Sequence, residues 1–131
     1  MTIVQEATLT LILKGKDVLA KAKTCTSKIV AFMFPAIEVI VKSPFLQHHK
    51  RMPILVLVIC PTRELATQVV VEANVLFKFH ANIGVQVVSG GTKLPREQKW
   101  LQTNPCQILA ATPRRLWDHI ENTRVVSSRL R

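Results

Sequence analysis

No pair of cysteines in this sequence is spaced for a metal. Cys25, Cys60 and Cys106 lie far apart and none has a CxxC neighbour, which argues against a zinc site and predicts reduced, buried thiols instead. No apolar run is long enough to cross a bilayer: the aliphatic stretch Ile54 to Cys60 falls far short of the roughly 20 residues a spanning helix needs. The N-terminus also lacks a cationic segment followed by a signal-type apolar core. An intracellular, soluble protein without a membrane partner is the expectation. Acidic side chains are scarce, eight against eighteen Lys and Arg, leaving a formal charge of +10. Such an excess attracts a polyanion whatever the fold, and charge alone leaves RNA, DNA and an anionic membrane open.

What is present is globular in kind. Hydrophobic residues make up 48% and charged residues 20% of the chain, a balance that disordered segments do not have. At 131 residues the chain fits one domain with its own core and is too short for the paired domains of a molecular motor. There is no internal repeat and no low-complexity segment.

The hydrophobic pattern alternates between helix and strand periods. Thr2 to Leu13 places Ile3, Val4, Ala7, Leu11 and Ile12 at helical spacing, and Gly15 ends that helix. Asp17 to Ala22 reads as a short strand. Lys28 to Val41 reads as a helix with Phe32, Ala36 and Ile40 on one face and Pro35 as an internal difficulty. After the polar stretch Lys42 to Arg51, Pro53 to Cys60 is the near-continuous aliphatic run of a doubly covered parallel strand. Pro61 to Phe79 predicts a helix capped by Thr62, with Leu65, Val69, Ala73 and Leu76 facing inward. Val85 to Val88 and Gln107 to Ala111 predict further strands. Pro95 to Leu101 and Pro113 to Glu121 predict further helices, the last with proline in its first turn. This alternation argues for an α/β layered domain with a mostly parallel sheet.

Three short motifs sit where strands give way to helices. Pro61-Thr62-Arg63-Glu64-Leu65-Ala66 follows the aliphatic strand, Gly90-Gly91 ends the next, and Thr112-Pro113-Arg114-Arg115-Leu116 follows the one after. PTRELA alone would be an ordinary capped helix start. In this order and context the three resemble motif Ia (PTRELA), the GG motif and the TPGRL motif of the DEAD-box ATP-dependent RNA helicases. The resemblance covers essentially the whole chain and implies an incomplete RecA-like, P-loop NTPase, three-layer domain occupying residues 1–131. It also implies that Pro61, Thr62, Arg63, Gly90, Gly91, Thr112, Pro113 and Arg115 grip the sugar-phosphate backbone of single-stranded RNA. Arg114 departs from the family's glycine: it adds a charge but places a side chain where backbone approach is close.

The same resemblance places an ATP site upstream. Gln5 matches the glutamine that reads adenine in the family's Q motif, though a helix capped at Thr2 with Gln5 on its wet side is the plainer reading of those residues. Ala22-Lys23-Thr24-Cys25-Thr26-Ser27-Lys28-Ile29 stands where the family carries AxTGxGKT. Thr24, Cys25, Thr26, Ser27, Lys28 and Ile29 thereby become the nucleotide loop, in degenerate form. Cys25 and Ser27 replace two glycines, each costing about 1–3 kcal/mol where strained backbone angles are needed. Ile29 replaces the hydroxyl that ligates Mg²⁺, and a hydrocarbon cannot serve a hard cation. The DEAD sequence, the SAT motif and the second domain with its arginine finger do not occur in these 131 residues, so no catalytic residue is assigned. ATP and Mg²⁺ are cofactors of the family whose use by this chain the altered loop puts in question.

Other candidates carry less. His48 and His49 adjoin Lys50 and Arg51 and read as a basic loop, Asp118 and Glu121 as a solvated helix face, and Trp100 and Trp117 as core or boundary anchors. Two further functional readings stay open: a non-enzymatic RNA- or partner-binding fragment, and a truncated or pseudogene product. A sheet ended before the family's carboxylate-bearing strand would carry an unpaired edge and is expected to self-associate.

Overall fold

The computed structural model describes residues 3–21, 25–42, 54–78, 83–90, 93–103 and 106–122, in two compact units, Met1–Ser43 and Pro44–Arg131. In the first unit, α1 (Ile3–Leu13) packs against α2 (Cys25–Lys42). Gly15, at φ +76°, closes α1 through its amide on the Ile12 carbonyl at 2.8 Å, a left-handed turn that glycine makes without a Cβ penalty.

The buried face of α1 is not the expected apolar stripe. Ile3 is 87% exposed and Leu11 40%, whereas Gln5 and Thr8 are buried. Thr8 satisfies its hydroxyl on the Gln5 carbonyl at 3.2 Å, which lets a polar side chain turn inward. Residues 16–21 form no strand. The helix expected from Lys28 begins earlier, at Cys25, and runs through Pro35 to Lys42. Among the described residues only glycines sit at positive φ. With Cys and Ser in place of glycine, the cheapest conformation for residues 25–27 is helical, so the loop gives up its strained angles.

The second unit holds the parallel sheet. Its elements follow in the order β1 (Val56–Ile59), α3 (Arg63–Leu76), β2 (Val85–Val88), α4 (Leu94–Thr103), β3 (Ile108–Ala111) and α5 (Pro113–Asn122). The strand order is β1-β3-β2, with both pairings parallel. The doubly covered strand is β3, whose four residues are all 0% exposed, and not the longer run at β1. At the edge of the sheet among the described residues, β1 leaves Ile59 59% exposed. The core joins Val88, Leu101, Leu109, Ala111 and Leu116. Ala66, Val69 and Ala73 form the buried stripe of α3, one position away from the expected Leu65. Gln107, buried just before β3, accepts the Gly84 amide at its side-chain oxygen and so ties the chain leading into β2 to β3.

Candidate nucleic-acid interface

Parallel pairing aligns the carboxyl ends of the three strands. Ile59 and Val88 both register with Ala111, so the residues that follow emerge side by side. Cys60 donates its amide to the Ala111 carbonyl at 2.8 Å, and Thr112 donates to that of Val88 at 3.2 Å. The three sequence motifs, up to 55 positions apart in the chain (Pro61 to Leu116), therefore meet at one rim.

That rim encloses an open cleft of about 610 Å³ whose lining includes Pro61, Thr62, Arg63, Gly90, Thr112 and Arg115. Pro113 begins the adjoining helix, and Gly91 lies outside the described residues. Thr62 holds extended angles and accepts the Leu65 amide on its hydroxyl at 3.3 Å, fixing the start of α3 as expected. Helices α3 and α5 both begin at the cleft, so their first-turn amides and dipoles favour an anion there. Gly90 sits at φ +79° with nothing within 4 Å of where a Cβ would stand. Its glycine is required by backbone angle, while the open space beside it admits a close approach.

Arg115 is held from behind. Its Nε donates to Glu97 Oε2 at 2.5 Å, and the same oxygen lies 3.0 Å from His119 Nε2. The Arg115 and Glu97 side chains are each 13% exposed and that of His119 is 0% exposed. Burial pushes the Glu97 pKa up, but the hydrogen bonds and charges of His119 and Arg115 outweigh it and hold the carboxyl below its ordinary value. Arg115 thus faces the cleft as an anchored residue, with Nε committed to Glu97.

Three cleft residues, Ser89, Glu64 and Asp118, were not expected in the RNA site, and a fourth, Arg114, was expected to add charge while crowding the backbone approach. Ser89 precedes the two glycines, and Glu64 is the acidic position within PTRELA. Arg114 is exposed on the rim, where it adds positive charge. Asp118, expected on a solvated face, is half-buried and lines the cleft one turn after Arg114 and Arg115. Glu97 gave no sequence signal, because its contact spans 18 positions between two helices. Trp100 and Trp117 are 55% and 60% exposed, further out than anchors would be.

The proposed nucleotide residues lie in the other unit. Gln5 is buried on α1, Lys28 is exposed in the first turns of α2, and Ile29 is 2% exposed. Thr24 lies outside the described residues, and Cys25, Thr26 and Ser27 are described only as helical backbone. A small concavity of about 270 Å³ joins Lys28 to Thr8, Ile12 and Phe32 but does not include Gln5. Lys28 fits a phosphate. A Mg²⁺-bound nucleotide does not fit, since the position for its hydroxyl ligand is a buried hydrocarbon in a regular helix. Among the described residues no group of three or more His, Cys, Asp or Glu is placed to hold a metal, and no helix is long and apolar enough to cross a membrane. Cys60 and Cys106 are buried thiols, and burial pushes that of Cys60 up in pKa.

Comparison with known proteins gives this geometry a lineage. The chain is 68% identical, over its full length, to DEAD-box ATP-dependent RNA helicase 31 of Arabidopsis thaliana and spans 18% of that protein. It is 66% identical over 99% of its length to helicase 26 of the same organism and spans 15% of it. Among solved structures, the RNA helicase Prp28 of Chaetomium thermophilum bound to ADP matches 92% of this chain with a TM-score of 0.76 and 32% identity, the match covering 28% of that chain. The α/β fold with its parallel sheet is therefore that of a helicase RecA-like domain, and the chain spans less than a fifth of the length of the two Arabidopsis relatives. The DEAD/DEAH box helicase profile matches residues 2–131, and the chain belongs to that family.

Proposed function

We propose that the cleft at the strand ends binds the sugar-phosphate backbone of single-stranded RNA without regard to base identity, and that residues 1–131 form part of a helicase's first RecA-like domain. The observation that carries this reading is the convergence of Thr62, Arg63, Gly90 and Thr112 on one concavity with two helix starts. Backbone amides and arginines at helix starts suit phosphates, and phosphate contacts carry no sequence information. Ser89 and the Gly90 backbone offer a wall without bulk, while Arg63 and Arg114 supply charge at the rim.

ATP hydrolysis by this chain alone is not part of the proposal. The helical start of α2 at Cys25 and the buried Ile29 support a chain that retains an RNA-facing surface without working phosphate chemistry. The reading is tested by fluorescence anisotropy on a labelled single-stranded RNA. Arg63→Ala with Arg114→Ala removes two rim charges; Lys14→Ala with Lys78→Ala removes two exposed charges elsewhere. The first pair should weaken binding several-fold more than the second. Equal losses would reduce the interaction to general basicity and refute the site.

A further inference from the structure

Helix α4 carries an outward stripe at helical spacing, Arg96, Lys99, Trp100 and Thr103, all exposed. These four line a second concavity, of about 550 Å³, whose wall continues through Ser89 and Gly90. The same two residues line the strand-end cleft, so the two concavities meet at the Gly90 backbone. Trp100 is 55% exposed, yet its Nε1 donates to Gln86 Oε1 on β2 at 2.9 Å. Its ring is therefore oriented against the sheet while part of its surface stays open to solvent. Arg96 and Lys99 line the same concavity. The one acid in this wall, Glu97, is engaged with Arg115 and His119, which leaves the wall's outward charge positive.

An oriented aromatic lining one concavity with two cations, contiguous with a backbone-gripping cleft, is the arrangement of a stacking platform for single-stranded nucleic acid. We propose that this stripe is a nucleobase subsite. Trp100 stacks on one base of the strand whose backbone crosses Gly90, and Arg96 and Lys99 contact that nucleotide's phosphates. The inference rests on the RNA reading of the cleft. It adds a base contact that is tolerant of sequence, because every base presents a π-face. A volume of about 550 Å³ lies within the range of roughly 300–1,000 Å³ typical of small-ligand pockets.

The test uses the full 131-residue chain carrying Trp117→Phe, which leaves Trp100 as the sole tryptophan. Dye-labelled oligouridylate and an abasic oligomer of equal length are titrated while anisotropy and tryptophan emission are recorded together. Oligouridylate should quench Trp100 in step with its binding, and the abasic oligomer should bind without quenching. Trp100→Ala should weaken oligouridylate about 5-fold or more and leave the abasic oligomer unchanged, with Trp100→Phe retaining most of the affinity. Unquenched binding of oligouridylate, insensitive to Trp100→Ala but sensitive to Arg63→Ala with Arg114→Ala, would overturn the subsite and keep the cleft. Failure of both oligomers to bind would remove the cleft and the subsite together. Quenching by an acidic peptide in preference to RNA would overturn the subsite in favour of a protein partner.

Discussion

Replacing Glu97 by glutamine keeps the side chain's length and an oxygen acceptor but removes the charge on which two helices converge. One oxygen of Glu97 serves both Arg115 Nε, at 2.5 Å, and His119 Nε2, at 3.0 Å. With Arg115 13% exposed and His119 0% exposed, water replaces only part of what is lost. A hydrogen bond to a charged group contributes about 1.5–3 kcal/mol, and breaking a buried pair from one side costs about 3–5 kcal/mol. The amide oxygen offsets part of this, so Glu97→Gln should cost about 2 kcal/mol and Glu97→Ala about 3 kcal/mol or more. Urea unfolding followed by circular dichroism measures it, with the midpoint falling while the slope stays constant. The sign with pH follows from the lowered carboxyl pKa. The stabilisation is complete above the ordinary value of 4.5 and is lost as pH falls through the lower folded value. The gap between parent and Glu97→Gln should therefore be widest near neutrality and close in acid. Coincident midpoints at pH 7, or a gap that persists in acid, would refute the reasoning.

Three further outcomes follow from other positions. Gly90→Ala should cost about 1–2 kcal/mol, because φ is +79° and open space around the position removes any steric alternative; a melt unchanged from the parent would show that the turn relaxes freely. Ile29→Thr alone should destabilise the chain, since it places a hydroxyl at a 2% exposed position, without conferring Mg-ATP binding. Calorimetry should detect that binding only when glycines are also restored at Cys25 and Ser27, the three changes acting non-additively on one loop. Ile59→Lys, on the exposed edge of β1, should lower any self-association seen by sedimentation, whereas an unchanged sedimentation profile would place the contact elsewhere.

The legible parts of this chain were those in which local chemistry and fold agree. Thr62 reads as a cap and is one, Gly15 reads as a stop and is one, Val85 to Val88 is the strand its run predicts, and the strand expected over Gln107 to Ala111 forms from Ile108. The motif residues were legible as a set because their positions after successive strands bring them to one rim. Which strand is central was not legible. Pro53 to Cys60 is the more aliphatic run, yet pairing order, a non-local property, gives β3 both neighbours. The face of α1 was misread because the turning of Gln5 and Thr8 inward depends on satisfied polar groups rather than on apolar period. Glu97 was invisible for the same reason that it matters: its partners lie 18 and 22 positions away on another helix.

The most direct test of the central claim is the salt dependence of RNA binding. Each phosphate contact on a single strand contributes about 0.7 to the slope of log affinity against log salt. For the parent chain and Arg63→Ala with Arg114→Ala, that slope is measured on oligouridylate and oligoadenylate. The account predicts that the double substitution makes the slope shallower by about 1.4 on both oligomers, with similar affinities for each. An unchanged slope, or a strong preference for one base, would contradict a strand-end cleft that grips the RNA backbone.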